Sequence, residues 1–149
     1  MQPSKTNNEH VVEELMKRVD GNDAGAMHVL AGYYHYGNGA FQQDHAKAIE
    51  LYTRAAELGS SISHQNLGDL YHDGGNMKKA KFHYEAAAMA GHEMARYNLG
   101  CMEANSGNIE RAIKHWTIAA SAGRVLKKVM LVENQSTQFW KLTIVPVAR

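Results

Sequence analysis

"KAIELYTRAAELGSSISHQNLGDLY", residues 47 to 71, holds two helical patterns back to back with a glycine between them. In the first, Ala48, Tyr52, Ala55 and Ala56 fall at i, i+4, i+7 and i+8, which is one face of a helix. Alanine on that face lets a neighbouring helix come close, and the aromatic ring fills the wider gap. Gly59 follows, at the place where many helices end on a left-handed residue. The second pattern then opens at once with Ser63, Leu67, Gly68 and Tyr71. The spacing predicts that Gly59 closes one helical hairpin and that Ser63 to Tyr71 opens the next.

Both patterns recur. "KAIELYTRAAELG" (47–59), "KAKFHYEAAAMAG" (79–91) and "RAIKHWTIAASAG" (111–123) align without a gap. Ala48, Ala80 and Ala112 match, as do Tyr52, Tyr84 and Trp116, and the closing glycines Gly59, Gly91 and Gly123 are each 32 residues apart. Before each of them stands the other pattern: "AMHVLAGYYHYGNG" (26–39), "SHQNLGDLYHDGG" (63–75) and "ARYNLGCMEANSG" (95–107). These share a small residue (Ala26, Ser63, Ala95), a leucine (Leu30, Leu67, Leu99) and a second small residue beside it (Ala31, Gly68, Gly100). Tyr34 and Tyr71 also match, but the third copy has Glu103 there. Asn76 and Asn108 stand where the second helix of their units needs an N-cap.

A single helix pair cannot bury its apolar face alone, whereas stacked pairs share a continuous core. The expected fold is therefore all-α, a solenoid of about three helix-turn-helix repeats. Its divisions are a disordered N-terminus (1–8), a capping helix (9–21), repeats at 22–59, 60–91 and 92–123, and a partial cap with an irregular tail (124–149). The capping helix rests on Val12, Leu15, Met16 and Val19 at helical spacing. The tail "FWKLTIVPV" (139–147) reads as a short strand or disorder, outside the repeat. Repeat one is the longest: Leu30 to Leu67 is 37 residues and Leu67 to Leu99 is 32. The excess lies in "GNGAFQQDH" (37–45), a loop on one rim.

Composition narrows the function. The 149 residues are 44% hydrophobic with a formal net charge of +1, so no basic footprint for nucleic acid or an anionic membrane is visible. No apolar run reaches the ~18 residues of a membrane span. The start "MQPSKTNNEH" has no signal-peptide run, and the single cysteine, Cys101, fits a reducing compartment. A cytoplasmic or nuclear protein is expected.

At "AMHVLAGYYHYGNGAFQQDHAKAIELYTRAAELG" (26–59) the chain resembles the Sel1-like repeat family, a relative of the tetratricopeptide repeat. Units two and three have shorter loops, closer to tetratricopeptide length. The resemblance covers roughly residues 22–123. It implies a right-handed α-α superhelix and a scaffold that holds other proteins, often in signalling or ubiquitin-linked quality control. In such relatives a helix like 9–21 follows a Cys/His zinc module, and nothing of that module is present. The chain thus also reads as a fragment of a larger protein made of a zinc module and repeats.

If the units stack as the resemblance implies, the first helix of each pair lines a concave face. The positions turned away from the core are His28, Gly32 and His35 in unit one, Gln65, Asn66, Asp69 and His72 in unit two, and Tyr97, Asn98 and Cys101 in unit three. These form the candidate groove for a protein or peptide partner; the plainer reading is a solvated helical face. No Lys or Arg is among them, so the carboxylate clamp of some tetratricopeptide proteins is not expected.

No cofactor and no metal site are expected. Nine histidines are present, but no H-x-x-x-H occurs, and His28 and His35 are seven residues apart, too far for one ion alone. Gly37, Asn38 and Gly39 make a turn and not a phosphate loop, because no Gly-Lys-Ser follows. Enzymatic activity is not expected. The one alternative is a cysteine-dependent reaction, with Cys101 as nucleophile and His115 across the hairpin as base.

Overall fold

The computed structural model describes residues 6–122. The expectations for Gly123 and the tail, and those for the first five residues, lie outside that range. The described residues form seven helices and no strand: α1 (Asn7–Asp20), α2 (Ala24–Tyr36), α3 (His45–Glu57), α4 (Ser61–Asp73), α5 (Met77–Met89), α6 (Glu93–Asn105) and α7 (Ile109–Ala122). The hairpins α2–α3, α4–α5 and α6–α7 stack in chain order, each helix packing on its neighbours in sequence, and α4 also meets α6.

Local chemistry sets the helix ends. Asp23, Asp44 and Asn76 accept from the backbone N–H of Ala26, Lys47 and Lys79 and so cap α2, α3 and α5. Asn108 precedes α7, and its Nδ2 donates to Glu103 Oε2 at 2.9 Å. Gly59 and Gly91 adopt φ of +96° and +92°, the left-handed conformation that ends α3 and α5. The first helix starts at Asn7, earlier than the boundary at residue 9 expected from apolar spacing. The reason is a capping box: Thr6 N donates to Glu9 Oε2 at 3.0 Å and Glu9 N donates to Thr6 Oγ1 at 3.4 Å. Leu15 and Val19 are buried on α2, while Met16 is exposed.

The repeat residues make the core. Ala26, Leu30, Ala31, Ala48, Tyr52 and Ala55 are buried in hairpin one; Leu67, Ala80, Tyr84 and Ala87 in hairpin two; Ala95, Leu99, Ala112, Trp116 and Ala119 in hairpin three. In hairpins two and three the glycine beside the leucine marks where the hairpin's aromatic lies across the first helix. A Cβ added at Gly68 would stand 2.5 Å from the Tyr84 ring, and one at Gly100 would strike the Trp116 indole.

The aromatic positions of the first helices are less deeply buried than the pattern suggests. Tyr34 and Tyr71 are half-buried, and each carries a lysine over its ring, Lys47 at 5.1 Å and Lys79 at 5.0 Å from the centroid. Their counterpart Glu103 is buried at 5% exposure, and Lys81 Nζ reaches it across the hairpin boundary at 2.8 Å. The long loop of repeat one folds back on its own helix. Phe41 lies against Tyr33 and Tyr34, Asp44 N donates to Tyr34 O at 2.8 Å, and Gln43 Nε2 donates to His35 O at 2.9 Å.

Candidate functional site

Because the first helix of every hairpin faces the same side, three of them border one groove of about 470 Å³. Helix α2 contributes His35 and Tyr36, α4 contributes Asp69, His72 and Asp73, and α6 contributes Asn98, Cys101 and Asn105. Tyr84 reaches the groove from α5. Its ring passes beside Gly68, where no side chain blocks it, and its hydroxyl donates to Asp69 Oδ1 at 2.7 Å. Asn98 Nδ2 donates to the same oxygen at 3.4 Å. These bonds fix the carboxylate that joins the second hairpin to the third.

Electrostatics at the floor follow from burial. Burial pushes the Asp69 carboxyl above the ordinary range, with the nearby Asp73 charge adding to it and the Tyr84 hydrogen bond working against it. Burial likewise raises the Tyr84 hydroxyl, and the bond to Asp69 raises it further. His35 is held below the usual imidazole range by burial and then by His45, with Asp69 and Asp73 opposing. At neutral pH the floor therefore holds an un-ionised phenol and a neutral imidazole.

Five of the ten expected residues are brought together here: His35, Asp69, His72, Asn98 and Cys101. His35 lines the groove but is not turned away from the core. It is 8% exposed, stacked on Tyr36 at 4.3 Å and edge-on to Tyr52 at 6.1 Å. His28 is not open either: its Nδ1 lies 3.1 Å from Ser63 Oγ, which links α2 to α4. Gly32 sits near the Tyr52 hydroxyl, where an added Cβ would be 3.7 Å away. Gln65 and Asn66 are half-buried on α4, apart from the groove lining. Tyr97 packs against the Trp116 cluster, and its carbonyl accepts from Trp116 Nε1 at 3.2 Å. Cys101 borders the groove, whereas the charges that act on His115 are Arg96, Glu103, Lys81 and Glu85. Cys101 and Glu103 are two residues apart on α6, so they project from well-separated sides of that helix.

The sequence reading missed Tyr36, Asp73, Asn105 and Tyr84. Asp73 lies four residues after Asp69, and Asn105 lies four after Cys101, so the helical rows already named would have reached them. Tyr84 carried no such signal, since its place in the pattern is that of a core ring.

A second cleft of about 450 Å³ lies between α1 and the long loop, against Val11, Val12, Tyr33, Ala40 and Phe41. Among the described residues no cluster of His, Cys, Asp or Glu has the arrangement of a metal site. No helix among them is long and apolar enough to cross a membrane.

The architecture defines an α-helical repeat protein with an open groove on its first-helix face. The chain carries Sel1-like repeats: the Sel1 repeat family matches residues 24–60 and 94–123, and the tetratricopeptide repeat matches 62–90 between them. Members of these families generally act as protein–protein interaction scaffolds. Among solved structures, a Sel1 repeat protein from Oxalobacter formigenes is similar, with 29% identity and a TM-score of 0.71 over 82% of this chain and 52% of that one. The protein c5321, described as a protective antigen present in uropathogenic Escherichia coli strains and displaying an SLR fold, has 28% identity and a TM-score of 0.68. That match covers 76% of this chain and 26% of c5321. This chain thus spans about half of the first relative and a quarter of the second. No curated protein matches it.

Proposed function

We propose that the chain is a protein-interaction scaffold and that the groove between α2, α4 and α6 receives a segment of a partner polypeptide. The observation that carries this reading is the convergence of three successive first helices on one groove of about 470 Å³. Such rigid, repeated surfaces are the usual binding faces of solenoids. The lining offers both donors and acceptors for a peptide backbone, among them Asn98 and Asn105. The family resemblance points to signalling or ubiquitin-linked quality control as the setting.

Panning a displayed peptide library over the protein tests the reading. Selected peptides should shift the amide resonances of Tyr36, Asp69, Asn98 and their neighbours. They should lose binding to Asn105→Trp, a change at an exposed position that fills the groove without entering the core. Peptides that bind Asn105→Trp unchanged, and that perturb only α3, α5 and α7, would place recognition on the other face.

A further inference from the structure

The groove lining is polar and one-sided in charge. It contains Asp69 and Asp73, and no lysine or arginine. The two carboxylates stand four residues apart on α4, so they share a side of that helix and repel each other. Among the described residues, the hydrogen bonds to Asp69 from Tyr84 and Asn98 fall on Oδ1, which leaves Oδ2 as the oxygen for an incoming donor. The neighbouring His72 Nδ1 is 3.7 Å from Asp73 Oδ1 and supplies positive charge only when protonated.

A second observation is independent of the carboxylates. His35 is more than nine-tenths buried at the groove wall, and among the described residues its Nδ1 has no hydrogen-bond partner. A buried polar atom without a partner is costly and rare. Burial keeps this imidazole neutral, so it adds no positive charge to the groove wall. Above it Tyr36 is 72% exposed and stacked on the His35 ring, an aromatic face open to a cation.

We propose that the groove accepts an arginine side chain of a partner polypeptide between Asp69 and Asp73, with Tyr36 against it, and so selects basic segments over acidic ones. This rests on the groove reading above and adds the charge of the partner. A guanidinium supplies several N–H donors in a fixed fork, which suits two carboxylates on one side of a helix. It is the opposite of a carboxylate clamp, which needs lysine or arginine on the protein.

The test uses three blocked peptides of alternating residues: alanine with arginine, alanine with glutamate and alanine with glutamine. Each is titrated into the protein and followed by amide shifts. The arginine peptide should shift groove residues and weaken as salt rises. Its affinity should fall roughly tenfold or more in Asp69→Asn/Asp73→Asn, the loss expected for a charge-assisted bond. Glu57→Gln, on exposed α3 surface, should leave it unchanged. The paired change is mild, because asparagine keeps an oxygen for Tyr84 and Asp73 is exposed; a matching thermal melt verifies the fold. Equal binding of the arginine peptide to the double variant, or groove shifts from the glutamate or glutamine peptide, overturns the charge assignment and leaves the groove reading standing. If none of the three shifts the groove, the arginine proposal fails, and the peptide library decides the groove reading separately.

Discussion

Lys81 Nζ lies 2.8 Å from Glu103 Oε1, and this pair ties α5 of the second hairpin to α6 of the third. Glu103 stands where the other two units have a tyrosine. It is buried, whereas the Lys81 side chain is 43% exposed. Solvent therefore screens the cation more than the anion. Lys81 and Asn108 hold the Glu103 carboxyl below its ordinary value of 4.5.

Replacing Lys81 with Met should destabilise the protein by about 1–3 kcal/mol, because a buried carboxylate loses its charged partner. Restoring the repeat with Lys81→Ile and Glu103→Tyr together should recover most of that loss, since apolar packing can replace a buried ion pair. Denaturant midpoints measure both. A group with a depressed folded pKa stabilises above its unfolded pKa, here 4.5, and loses that effect as pH falls through the lower folded value. The acid limb of the stability curve should therefore flatten in the double variant.

Three glycines on the first helices, Gly68 and Gly100 beside the repeat leucines and Gly32 two residues after Leu30, give a contrast within one fold. Gly68→Ala and Gly100→Ala should each cost roughly 1–3 kcal/mol by overpacking against Tyr84 and Trp116. Gly32→Ala meets only the Tyr52 hydroxyl at 3.7 Å. It should be neutral or stabilising by up to about 1 kcal/mol, the helix preference of alanine over glycine. Three thermal melts decide it; equal losses at all three positions would refute the packing explanation.

His64 and His83 face each other with Nδ1 atoms 3.0 Å apart, so one must donate and the other accept. Burial lowers both, and His64 and Lys79 help bring His83 down to about 4. A histidine lowered on folding binds more protons when unfolded. Its stabilisation is complete above 6.5 and is lost as pH falls toward the folded value. Melting temperature should drop between pH 6.5 and about 4, and the drop should be shallower in His64→Gln/His83→Gln. Part of the slope should remain, because burial also lowers His28, His35 and His115.

Leu67 is fully buried in the central hairpin. Leu67→Ala should cost about 2–5 kcal/mol, transfer and cavity terms combined. A denaturant midpoint equal to the parent protein's would contradict the stacking register derived from the repeat.

The repeat was legible because it is written locally. Ala48, Ala80 and Ala112, with Tyr52, Tyr84 and Trp116, recur at one spacing and share one helix face, so helix type and stacking followed from periodicity. Five of the ten positions expected on that face line the groove. What stayed hidden depends on partners far apart in the chain. Lys81 meets Glu103 at a separation of 22 residues, and His64 meets His83 at 19. The burial of His35 arises from Tyr36 and Tyr52 closing over it, and a helical wheel that ranks histidine as polar turns it outward. Thr6 escaped notice because its capping box precedes the apolar pattern that marked the helix.

The stacking order has a kinetic meaning. Each helix finds its main partners just before and just after it in the chain, so the hairpins α1–α3 communicate with α6 and α7 chiefly through α4 and α5. Loops that must close before contacts form are short, a topology that favours fast, locally nucleated folding. The molecule then assembles as a row of neighbours, from whichever hairpin forms first. A lesion in an outer hairpin frays one end, whereas a lesion in the middle one separates the cooperative unit into two.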